Sequence, residues 1–160
     1  MFDTISSVLV EQESWADAQE IEEQKLHMLR ELRGEDHSDT VASTGLLAWI
    51  CEENDQWTKA ERLKLEVVDK NRSTLGPDHE DTVRCMEDTA TFYMRRGDLE
   101  NAEKLTLEVM EIQQRALGNS HHETIRTMNY LAAVMAARGK HIEAQRMEEA
   151  CRLLRLDNPL

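Results

Sequence analysis

The chain has 160 residues, of which 40% are hydrophobic and 4% aromatic, with 6 Gly, 2 Pro and a formal charge of −13. β-Branched and aromatic residues are too sparse for a sheet core. Ala, Leu, Glu, Arg, Met and Gln dominate and lose little rotamer freedom on a helix, so the expected class is all-α. The negative charge argues against nucleic acid and anionic membranes as partners, since both would repel it, although residues 118–160 carry +1 and residues 1–117 therefore −14.

Met1 to Ser7 lack the basic and apolar stretches of a signal peptide, and no run of about eighteen apolar residues follows. Cys51, Cys85 and Cys151 are odd in number and show no C-x-x-C spacing, which predicts free thiols and a soluble cytoplasmic protein.

Self-similarity organises the chain. Gly34-Glu-Asp-His-Ser-Asp-Thr-Val, Gly76-Pro-Asp-His-Glu-Asp-Thr-Val and Gly118-Asn-Ser-His-His-Glu-Thr-Ile follow one another at 42-residue spacing. The frame holds through each unit, aligning Ala48, Ala90 and Ala132, and then Ala60, Ala102 and Ala144. Run backwards, it places Trp15 on Trp57 and Ala18 on Ala60. The expected organisation is one repeat domain: a partial unit over 1–33 in which Met1 falls inside a helix, then units 34–75, 76–117 and 118–160. A chain entering mid-helix reads as a fragment of a longer array or as one with a truncated first helix, and its apolar end face is then open.

Each unit predicts two helices. Helix A begins at the acids Asp39, Asp81 and Glu123, whose charge meets the helix's positive end, and stops near Glu53, Arg95 and Ala137. Its stripe is Val41, Thr44, Leu47/Ala48 and Cys51, repeated as Val83, Met86, Ala90 and Tyr93 and as Ile125, Met128, Leu131/Ala132 and Met135. Helix B runs from about Trp57, Leu99 and His141 to about Leu75, Leu117 and Leu156. Ala60, Ala102 and Ala144 are small because the paired helices approach to roughly 8–10 Å there. The acids of helix B, Glu20, Glu22, Glu23, Glu61, Glu66, Glu100, Glu103 and Glu108, read as a solvated face.

The linker Leu-Gly-x-x-His-x-[Asp/Glu]-Thr, the segment Asn129-Tyr-Leu-Ala and the Gly-x-x-x-x-Ala turn at Gly97–Ala102 and Gly139–Ala144 resemble the tetratricopeptide repeat. The resemblance is to the 42-residue form of kinesin light chains and of fungal NACHT or NB-ARC-associated arrays. It implies a right-handed α-solenoid of antiparallel helix pairs, about seven helices here. It also implies a concave groove lined by helix A residues that binds a peptide or helix of a protein partner. The groove positions are Ala42, Gly45, Trp49 and Glu52/Glu53; Arg84, Glu87, Thr91 and Met94/Arg95; and Arg126, Asn129, Ala133 and Ala136/Ala137. Arg84 and Arg126 could clamp carboxylates of an extended peptide, or instead pair with Glu87, Glu123 or other acids of their own chain. Asn129 matches the asparagine such arrays use to hold peptide backbones, and its equivalents are Gly45 and Glu87. Trp49 reads either as a ligand anchor or as a residue packed on the adjacent helix.

No G-x-S-x-G, P-loop, H-E-x-x-H or calcium-loop motif occurs, so no enzyme and no cofactor is expected. His37, His79 and His121 recur in register but stand roughly 10 Å or more apart in stacked repeats, which excludes a shared metal and leaves local backbone bonding. Cys51 reads as a small core residue. The alternative to peptide binding is self-association through the array ends, at residues 1–11 or at the helix Glu143–Leu156 with Arg146, Arg152 and Arg155, as part of a larger signalling receptor.

Overall fold

The computed structural model describes residues 8–10, 12 and 14–157. The helices are α1 (Trp15–Arg33), α2 (Ser38–Glu53), α3 (Trp57–Thr74), α4 (Glu80–Arg96), α5 (Leu99–Leu117), α6 (His122–Ala137) and α7 (His141–Asp157), and no strand occurs among the described residues. The class is all-α, as the composition predicts. The expectation that the chain opens inside a helix at Met1 lies outside the described residues. Two compact units divide between Pro77 and Asp78, which is the Gly-Pro junction of a repeat.

The recurring linker has a local physical cause. His37, His79 and His121 each cap a helix A: Nδ1 accepts the backbone N–H of Asp39, Asp81 and Glu123 at 3.1, 3.1 and 3.3 Å. A ring nitrogen can accept only when unprotonated, so the cap fixes the Nε2–H tautomer. The helix that precedes each cap in the first and third linkers ends at Gly34 (φ 85, ψ 169) and Gly118 (φ 89, ψ 164), a region open essentially to glycine alone. The threonine after the cap turns inward, and Thr40 Oγ1 donates to the Gly34 carbonyl at 2.8 Å.

In the first unit α2 packs between α1 and α3. Leu47, Ala48 and Cys51 are buried as the stripe predicts, and so is Ile50, which lies off it. In the second unit α4 packs on α5, and α6 lies between α5 and α7. There Phe92 and Val134 occupy the register of Ile50 and are likewise buried. The single-stripe reading missed this second apolar column, which in α2 and α6 accompanies packing between two helices. Ala18, Ala60 and Ala102 are fully buried, as close helix approach requires.

The solvated reading of the helix B acids is corrected at several places. Glu22 is fully buried, accepting from Ser43 Oγ at 2.5 Å and from Lys25 Nζ at 3.0 Å. Glu103 is buried between Lys140, at 2.6 Å, and Arg138. Glu23 pairs with Lys59, and Glu66 with Arg30 at 2.5 Å. Burial alone would raise the Glu103 carboxyl, but the two cations outweigh it and hold it below the usual carboxylate value. The Lys59 hydrogen bond likewise lowers Glu23. Helix B is therefore an inter-helix ion-pair face as much as a solvated one.

Candidate functional site

The groove positions of the first unit are largely occupied by packing. Trp49 is half-buried and meets Trp15 of α1 edge to face, centroids 5.4 Å apart and planes at 89°. Of the two roles open to it, contact with the adjacent helix is the one present. Glu52 does not lie on an open surface: it is 4% exposed and ion-paired with Lys64 of α3 at 3.1 Å. The sequence placed it on the open face because i, i+3, i+7 spacing ignores the long lysine that reaches over from α3. Gly45 points toward α3, where an added Cβ would stand 3.9 Å from the Val67 side chain.

The second unit keeps this face open. Arg84 and Arg126 line one cavity of about 660 Å³, together with Glu80, Val83, Glu87 and Asp88 of α4, Ile112, Gln113, Ala116 and Leu117 of α5, and the α6 entry at His121 and Glu123. Glu87, Asp88 and Arg126 also border a second cavity of about 250 Å³, walled by Ala90, Thr91, Val109, Thr127 and Tyr130. Burial raises the Tyr130 hydroxyl. Arg95 and Ala133, also expected on this face, are exposed and border neither cavity.

Both arginines are engaged inside their own unit. Arg84 lies 2.6 Å from Asp81, and Arg126 lies 2.8 Å from Glu87 and 2.6 Å from Glu123. Glu87 is the hub: Oε1 accepts from Gln113 Nε2 at 2.9 Å and Thr127 Oγ1 at 3.3 Å, while Oε2 takes Arg126. Asn129 donates its amide to the Ile125 carbonyl at 2.6 Å, so that donor serves its own helix. Gln113, Asp88 and Tyr130 were missed as site residues. A signal for Gln113 existed: it continues the buried column Ala102, Thr106 and Val109 of α5, where a polar residue needs a partner.

The cysteines add no chemistry. Cys51 and Cys151 are buried, which raises both thiols, and Cys85 donates to the Thr82 carbonyl at 3.1 Å. Among the described residues no group of His, Cys, Asp and Glu could hold a metal, and no helix is long and apolar enough to cross a membrane.

Residues 87–152 match the family model for the tetratricopeptide repeat. These residues are tetratricopeptide repeats. The fold is shared along the chain with solved structures. Nearly identical TPR-like repeats of a candidate kinesin light chain from Podospora anserina superpose with a TM-score of 0.83 at 22% identity, over 99% of this chain and 75% of that one. BtubC from P. vanneervenii superposes with a TM-score of 0.81 at 17% identity, over 98% and 62% of the two chains. The apo form of RapI does so at 0.73 and 14%, over 98% and 55%. No curated protein matches the chain in sequence. The fold is thus that of kinesin light chain-like tetratricopeptide repeats.

Proposed function

We propose that the chain is a protein–protein interaction scaffold and that the helix A face of residues 78–160 receives a peptide or helix of a partner. The observation that carries this reading is the cavity of about 660 Å³ onto which Arg84, Glu87 and Arg126 open from α4 and α6. Val83, Ile112 and Leu117 give it an apolar side and charged groups rim it, the make-up of a site that anchors one side chain and orients a backbone. In this reading the protein works in the cytoplasm, needs no cofactor and performs no reaction. The test is recovery of partners from the source cell by the wild type, by Ala116→Trp, which fills the cavity mouth, and by the double variant Arg84→Glu, Arg126→Glu. Both variants are expected to change what is recovered; unchanged recovery by both discards the site.

A second reading, self-association within a larger signalling receptor, draws on α7. Ile142, Leu153 and Leu156 are exposed there among Arg146, Arg152 and Arg155. Light scattering across a dilution series separates the two, because a monomer at every concentration removes self-association.

A further inference from the structure

We infer that the segment received at the larger cavity presents a basic side chain, a lysine or arginine, with Gln113 as its polar anchor; this rests on the peptide-binding reading above. Two independent observations lead to it.

The first is charge. The cavity wall carries the carboxylates of Asp78, Glu80, Glu87, Asp88 and Glu123 against the guanidiniums of Arg84 and Arg126 alone. Those guanidiniums are already matched: Arg84 by Asp81 at 2.6 Å, and Arg126 by Glu87 at 2.8 Å and Glu123 at 2.6 Å. Asp78 is matched by Arg115 at 2.6 Å. Glu80 and Asp88 are exposed and have no ion-pair partner among the described residues. A carboxylate ligand would have to break existing pairs and enter a field of its own sign, whereas a cation meets unopposed carboxylates.

The second is an unpaired acceptor. Gln113 is 5% exposed, its Nε2 donates to Glu87 Oε1 at 2.9 Å, and its Oε1 has no partner. The amide cannot reverse, because that would set its oxygen against the Glu87 carboxylate. The wall therefore holds a fixed acceptor, closed to solvent beneath the cavity surface, whose lack of a partner is unfavourable until an N–H reaches it. The methylenes of a lysine or arginine can lie along Val83, Ile112 and Leu117 while the head reaches Gln113 Oε1 and Asp88. This reverses the acidic ligand that two aligned arginines suggest from sequence.

The experiment is an NMR titration of the full chain with a capped peptide of alternating alanine and lysine, and with its alanine–glutamate counterpart. It is run at physiological salt, where the −13 charge is screened beyond about 8 Å. The lysine peptide is expected to shift the Gln113 side-chain amide and the Asp88 and Arg126 backbone signals. Gln113→Leu and Asp88→Asn are each expected to weaken it by about tenfold, the loss of one charge-assisted hydrogen bond. Asp88 is exposed, so its variant keeps the test decisive if Gln113→Leu disturbs folding. Unchanged affinity in folded Asp88→Asn would overturn the proposal, leaving only diffuse attraction to an acidic chain. If the glutamate peptide shifts Gln113 and loses this in Arg84→Glu, the basic class is wrong while the peptide site stands. If neither peptide moves the cavity signals, both fall.

Discussion

Trp49 and Thr91 hold the same place in the 42-residue register, one in each compact unit, yet they do opposite things. The tryptophan is packed edge to face on Trp15, and beside it Glu52 is buried against Lys64. The threonine is exposed on the rim of a cavity and donates only to the Glu87 carbonyl one turn back, at 3.0 Å. A repeat frame thus fixes where a side chain starts from, but the neighbouring helix decides whether that position is closed by packing or left open to a ligand. In the first unit an aromatic and a buried ion pair close it; in the second, smaller residues leave it open.

If the first unit's face is structural, breaking its ion pair has the largest effect. Lys64→Met removes the cation 3.1 Å from the buried Glu52 and is expected to cost about 3 kcal/mol, toward the low end for breaking a buried pair because Lys64 keeps 13% side-chain exposure. Adding Glu52→Leu should recover most of the loss, and urea midpoints of the single and double variants measure both. A Lys64→Met variant as stable as wild type would show that this ion pair does not hold the first unit's face closed.

The aromatic pair comes next. Trp49→Ala should cost about 2 kcal/mol, less than a fully buried aromatic truncation because the ring is half-exposed, while Thr91→Ala should cost under about 0.5 kcal/mol. Equal costs at the two positions, read from the same denaturation series, would erase the distinction between the units.

The helices were legible to within a residue or so because capping histidines, αL glycines and small alanines are local and recur in register. Gly97, for example, ends α4 at φ 84 where the turn was placed. Partner choice across helices was not legible. Glu22 and Glu103 look like any surface glutamate in a helix B pattern, and only the fold brings Ser43 to one and Arg138 and Lys140 to the other. For the candidate site, the alignment of Arg84 and Arg126 was visible in the spacing. Their neutralisation by Asp81, Glu87 and Glu123, and the orphan oxygen of Gln113, depend on side-chain reach that no periodicity carries.

The buried acids also distinguish the open unit from a merely loose one, because its stability should depend on keeping Glu103 charged. Its folded carboxyl lies below the ordinary 4.5, so the contribution is fully present above the unfolded value and is lost as pH falls through the lowered folded value. Replacing Arg138 and Lys140 by methionine removes the groups that lower it and leaves burial, which raises it. The Glu103 titration, followed by carboxyl carbon NMR, should then move upward past 4.5, and the acid-induced loss of the second unit should begin at higher pH. Each unit of displacement corresponds to about 1.4 kcal/mol. A Glu103 titration that stays in place in the double variant would mean that water, not the two cations, holds that carboxylate, and the second unit would then be open throughout and not only at its cavities.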